Sequence, residues 1–129
     1  MSERPRILIV DDDQPILLLM RNLLSEFGFE PVEAGTGPDA LASARERIPD
    51  LVLLDRNMPG MSGDEVLDEL REIPAMSQVP IIIISGEPIP PAEVSRLGLA
   101  AAILKPFDVI ALIEMIRSSI AAKRSLKSN

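Results

Sequence analysis

Asp50-Leu51-Val52-Leu53-Leu54-Asp55-Arg56-Asn57-Met58-Pro59-Gly60 is the stretch whose reading decides the fold. Its apolar run, fenced by Pro49 and by Pro59-Gly60, is too short for a buried helix and reads as a strand buried on both faces. It ends on a carboxylate. An aspartate after a strand is ordinarily a turn residue or a helix cap, but a second stretch has the same shape: Arg6-Ile7-Leu8-Ile9-Val10, followed by Asp11-Asp12-Asp13. If these strands lie parallel and adjacent, at least three negative charges gather at one sheet edge. Such a cluster is costly unless a cation sits in it.

Length and composition narrow the field. At 129 residues the chain has room for one domain with a substantial core, expected over residues 1–123, with a polar C-terminal tail at 124–129. The core is aliphatic, because the chain has three Phe and neither Tyr nor Trp. A formal charge of -7 at pH 7 argues against direct nucleic-acid binding, which depends on Lys and Arg neutralising phosphates. Partners are then proteins or cations. Without Cys there is no disulfide framework or thiolate metal site, and without His the commonest general base and zinc ligand are missing. No apolar run approaches a membrane span, so a cytoplasmic location is expected.

Outward from the opening stretch, strands and helices alternate. Residues 14–27 place Ile16, Leu17, Met20, Leu23, Leu24 and Phe27 at helical spacing, with Pro15 in the first turn and Gly28 at the end. Residues 29–34 read as a second strand, and Pro31 confines it to an edge. Thr36 caps an Ala-rich helix ending near Arg47. A helix at 64–73 follows the Met58-to-Gly63 loop and stops at Pro74. Pro80-Ile81-Ile82-Ile83-Ile84 is the most β-prone run and reads as a central strand. A stiff Pro88-Ile89-Pro90-Pro91 connection leads to a short helix at 92–97, a weak strand at 100–104, and a last helix at 108–123.

Five strands alternating with five helices predict an α/β doubly wound sandwich on a parallel sheet. The common order for such a sheet, 2-1-3-4-5, puts strand two at an edge, as Pro31 requires, and strand one beside strand three. Ligands bind outside the carboxyl ends of the strands where the order reverses. Asp11, Asp12 and Asp55 fall there, and strands four and five bring Ser85 and Lys105 to the same rim. Carboxylates without His or Cys make a hard-oxygen site suited to Mg²⁺.

Val10-Asp11-Asp12, Asp55-x-Asn57-Met58-Pro59-Gly60, Ser85-Gly86 and Lys105-Pro106-Phe107 occur in that order, each at a strand end, across essentially the whole chain. Together they resemble the receiver domain of two-component response regulators, of the single-domain chemotaxis type with a flavodoxin-like sheet. The resemblance implies that Asp55 is the phosphoacceptor and that Asp11, Asp12, Asp55 and the backbone carbonyl of Asn57 bind Mg²⁺. It also implies that Ser85 and Lys105 contact the phosphoryl group. The Lys105-Pro106 peptide is cis in the family, whereas an isolated X-Pro bond favours trans. The donor would be a histidine kinase or phosphotransfer protein, and the output a downstream protein partner. The chain would catalyse only its own phosphorylation and dephosphorylation, and is not expected to be an enzyme otherwise.

Other charged and sulfur-bearing residues have plainer readings. Asp13 is expected to cap the first helix, Asp50 to be simply solvated, Met58, Met61 and Met76 to pack loops, and the charges of 44–47 and 68–72 to form solvated helix faces. One departure bears on function: three residues before its lysine the family usually carries an aromatic that follows phosphorylation, and here Ala102 stands there. The 85–105 segment is also short and proline-rich. These features keep open an alternative, a phosphorylation-independent receiver-like interaction module. An aspartate-dependent phosphohydrolase, read into Asp11 and Asp13, lacks an evident substrate cap or specificity insert, and no nucleotide-binding Gly motif is present.

Overall fold

The computed structural model describes residues 4–128. Five strands, β1 (Arg6–Val10), β2 (Glu30–Ala34), β3 (Leu51–Asp55), β4 (Ile81–Ser85) and β5 (Ala101–Leu104), form one parallel sheet in the order β2-β1-β3-β4-β5. Five helices, α1 (Gln14–Glu26), α2 (Gly37–Glu46), α3 (Gly63–Arg71), α4 (Pro91–Arg96) and α5 (Val109–Ser128), connect and flank it. Pro31 does sit on an edge strand, because β2 pairs only with β1.

Alternation along the central strands creates two cores. Leu8, Val10, Val52, Leu54, Ile81 and Ile83 face α2 and α3, whereas Ile7, Ile9, Leu51, Leu53, Ile82 and Ile84 face α1 and α5. Every residue of β3 and β4 is buried, which explains why these strands read as unbroken apolar runs. Met58 and Met76 are buried in the first core and Met61 packs against it, so the methionines serve packing as expected.

Local chemistry sets the helix ends. The Asp13 carboxylate caps α1 by accepting from the Ile16 amide, and the Thr36 hydroxyl caps α2 by accepting from the Asp39 amide. Gly28 takes φ +91° after α1, a region costly for any residue with a Cβ. Helix α3 begins one residue earlier than the periodicity predicts because Ser62 and Glu65 form a reciprocal capping box. It also ends at Arg71, and Pro74 opens a 3₁₀ turn, Pro74–Met76. Helix α5 runs through Arg124 to Ser128 instead of ending near Lys123, since no Gly or Pro interrupts it.

Two charged residues depart from their solvated readings. Asp50 takes part in the sheet: its Oδ2 accepts from the Arg6 amide at 2.7 Å while its own amide donates to the Arg6 carbonyl at 2.8 Å. Arg71 is half-buried, and burial lowers its pKa. Its Nη1 donates to the carbonyls of Met76 and Val79 at 3.0 and 2.9 Å, and its Nη2 to that of Gly98 at 3.0 Å. One guanidinium thus ties α3 to the start of β4 and the end of α4. Replacing Arg71 by Met leaves those carbonyls without their donor, and should cost about 1–3 kcal/mol in urea unfolding. An Asp68→Asn change on the exposed side of the same helix should fall within about 0.5 kcal/mol.

Candidate functional site

The parallel registers bring the predicted residues to one rim. Val10 pairs with Leu54, so the next step along each strand sets Asp11 beside Asp55; Asp55 pairs with Ile84, and Ser85 with Leu104, directly before Lys105. Carboxylate oxygens of Asp11, Asp12 and Asp55 lie within 4.8 Å of one another, and these three could hold a metal ion. Asp11, Asp55 and Ser85 are only 5%, 3% and 2% exposed, whereas Asp12 is exposed. Among the described residues no other polar or charged side chain is buried, although the core is otherwise apolar. Polar burial of this kind persists where the groups are paired or serve a site.

Each buried group has a partner nearby. The Asp13 amide donates to Asp11 Oδ1 at 2.9 Å, and the Asn57 amide to Asp55 Oδ1 at 3.1 Å. Lys105 Nζ reaches the same Asp55 oxygen at 3.4 Å, from a chain that turns through a cis Lys105-Pro106 peptide. The Glu87 amide donates to Ser85 Oγ at 3.1 Å. Burial pushes the Asp11 carboxyl up to about 6, opposed by the Asp13 amide and Lys105 and reinforced by the charges of Asp55 and Asp12. The cluster therefore resists carrying its full negative charge unaided.

Glycine at 63 holds the floor of the site in place. A Cβ there would lie 2.6 Å from both Arg56 Cα and the Asp55 carbonyl oxygen, so only glycine lets the start of α3 approach the backbone behind Asp55. The Gly63 amide uses that approach to donate to the Arg56 carbonyl at 3.0 Å.

Arg56 is the residue that sequence reasoning passed over. Its Nε and Nη2 meet the two carboxylate oxygens of Asp64 at 3.1 and 3.2 Å, and its Nη1 meets Glu93 Oε1 at 3.1 Å. The hydrogen bonds to Asp64 and then Glu93 raise its pKa. Its position directly after Asp55 is the one available signal; Asp64 and Glu93 give no local hint of a shared partner.

The comparisons agree with this geometry. Residues 7–117 match the response regulator receiver domain family. Sporulation initiation phosphotransferase F of Bacillus subtilis is 36% identical over 124 residues, covering 96% of this chain and 97% of that protein. The DNA-binding response regulator MtrA of Mycobacterium tuberculosis is 38% identical over 119 residues; 91% of this chain matches about half, 51%, of that relative. Among solved structures, Vibrio cholerae chemotaxis protein CheY4 superimposes with a TM-score of 0.85 at 28% identity, covering 91% of this chain and 99% of that one. A CheY-like receiver domain protein from Methanospirillum hungatei reaches a TM-score of 0.87 at 28% identity, over 95% and 98% of the two chains. With its sheet order, its acidic rim and this family match in agreement, the chain belongs to the receiver domains of two-component response regulators.

Proposed function

We propose that Asp55 accepts a phosphoryl group from the phosphohistidine of a histidine kinase or phosphotransfer protein, and that the phosphorylated domain signals through contacts with a downstream protein. The observation that carries this reading is the convergence on Asp55: two further aspartates within 4.8 Å and the Lys105 ammonium at 3.4 Å. Asp55 Oδ1 is engaged by Lys105 and the Asn57 amide, which leaves Oδ2 as the nucleophile. In the transfer an O–P bond forms as the donor's N–P bond breaks, and the imidazole leaves with the electron pair. Lys105 and the Ser85 hydroxyl supply a cation and a hydrogen bond to the transferred oxygens. The chain cannot donate to itself, since it contains no His. Apart from its own phosphorylation and dephosphorylation it performs no chemistry in this reading.

All side-chain donors at the rim are oxygens, which suits Mg²⁺ better than zinc or copper. Asp11, Asp12, Asp55 and the Asn57 carbonyl would hold the ion, which would supply charge neutralisation among the carboxylates and the phosphoryl oxygens. The family assignment, the charge of -7 and the lack of any sufficiently long, apolar helix among the described residues support action in the cytoplasm without direct nucleic-acid contact. Residues 1–123 constitute the receiver unit in this reading, with 124–129 as its polar C-terminal tail, of which 124–128 continue the last helix.

Ala102 favours a second reading, a fixed interaction surface. Beside it lies a cavity of about 210 Å³ bordered by Glu87, Pro88, Ile89, Ile103 and Leu104, where a methyl group cannot report a change of rotamer. One experiment separates the two. Incubation with acetyl phosphate and Mg²⁺ should add a hydroxylamine-labile phosphoryl mass that Asp55→Asn abolishes, and should change binding of the downstream protein. Labelling with unchanged binding would favour the fixed surface, and absence of labelling would defeat phosphoacceptance. The resemblance to the family implies that Asn57 and Glu87 stand at the two positions bordering the path of the hydrolytic water, with the residue pair of the chemotaxis-type receivers, so the acyl phosphate should be short-lived. Persistence for many hours in Mg²⁺ would contradict that.

Asp11 supplies a pH test. Its pKa in the folded chain, about 6, lies above its ordinary 3.8, so its contribution to stability is complete below the ordinary value and is lost as the pH rises through about 6. Without divalent ions, calorimetry should show on the order of 2–3 kcal/mol less stability from this group at pH 7 than below pH 4. Millimolar Mg²⁺ should restore stability at pH 7, with an effect that fades below about 6 as Asp11 takes up its proton.

A further inference from the structure

α4 is anchored differently from the other four helices. None of its six residues is buried, Pro90 gives its N-terminus no side-chain cap, and Val94 and Leu97 reach the core only partly. Two guanidinium groups from elsewhere hold it. Arg71 donates to the Gly98 carbonyl beyond its C-terminal end, and Arg56 Nη1 donates to Glu93 in its first turn. The Arg56 and Glu93 side chains are 25% and 27% exposed, so their pairing is largely shielded from water.

Arg56 is at the same time tied to Asp55. Its amide donates to the Ile84 carbonyl at 3.0 Å and its carbonyl accepts from the Gly63 amide at 3.0 Å, so its backbone is locked between β4 and α3. Arg56 borders a cavity of about 340 Å³ together with Asn57, Ser85, Gly86 and Glu87, at the rim where the phosphoryl group would arrive. A guanidinium fork pairs with phosphate oxygens as well as with carboxylates. Added negative charge at this rim would compete with Glu93 for Nη1, while the two bonds to Asp64 keep the group in place.

We propose that Arg56 is the positioning residue that carries the charge state of Asp55 to α4. It holds Glu93 while Asp55 is a bare carboxylate, and lets α4 go when the rim gains a phosphoryl group. The inference rests on Asp55 being the phosphoacceptor. It provides a path to α4 that does not use residue 102, where this chain has no aromatic ring to move.

Hydrogen exchange of residues 86–99, read by mass spectrometry with Mg²⁺ in the presence and absence of beryllium fluoride, tests the coupling. In the native chain the phosphoryl mimic should speed α4 exchange about threefold or more. Glu93→Gln should show that faster exchange without the mimic and no further change with it, although its ¹⁹F signal of bound fluoroberyllate persists. Arg56→Gln should behave likewise, and the double variant should match Glu93→Gln alone. A response to the mimic in Glu93→Gln equal to the native one would overturn the proposal, as would single effects that add in the double variant. A native chain that binds fluoroberyllate with unchanged α4 exchange would defeat the arginine coupling alone. Failure to bind it would defeat the phosphoacceptor reading beneath.

Discussion

Parallel pairing of β1 with β3 is the constraint on which the rest of the structure depends. It forces Asp11 and Asp55 side by side at the end of two apolar runs, Ile7 to Val10 and Leu51 to Leu54, with Asp12 close enough to share a cation. Slipping the register by one residue would relieve the repulsion, but it would also turn every Ile, Leu and Val of β1 to the opposite face. Apolar burial on both sides of the sheet therefore outweighs the charge conflict, and at the rim burial, reinforced by the charges of Asp55 and Asp12, keeps the Asp11 pKa raised. Backbone amides, Lys105 and a divalent cation are the means of relieving it without moving a strand.

Anchoring around that rim is uneven, and the unevenness has a direction. Helices α1, α2, α3 and α5 are seated by buried aliphatic residues such as Leu17, Leu41, Leu67 and Ile116, which no change of charge disturbs. Helix α4 has no buried residue and depends heavily on arginine bridges. Contacts of that type weaken when a competing anion arrives, whereas packed aliphatic contacts do not. The helix least committed to the core is thus linked, through Glu93, to the residue following Asp55.

Much of the fold was legible because two signals agreed. The unbroken runs of β1, β3 and β4 could only be interior strands, and Pro31 removed the ambiguity about which strand lies at an edge. The site was legible for a related reason: Asp11, Asp12, Asp55, Ser85 and Lys105 each mark the end of an apolar strand, and parallel strands share one carboxyl edge. The Ser62-x-x-Glu65 capping box was also present in the letters, and passing over it misplaced the start of α3 by one residue. Asp50, Arg56 and Arg71 were not legible. Their farthest partners lie 44, 37 and 27 positions away, at Arg6, Glu93 and Gly98, and nothing local marks a charged side chain as facing inward.

The sequence by itself determined the alternation of elements, the aliphatic interior and the identity of the acidic, hydroxyl and ammonium groups at the rim. Those follow from periodicity and residue chemistry, which act over a few neighbours at a time. Tertiary structure alone decided that three carboxylates come within 4.8 Å, that a half-buried Arg71 secures two loops, and that Arg56 spans α3 and α4. Such contacts depend on where the sheet's twist and helix packing deliver side chains distant along the chain, and no local pattern encodes that distance.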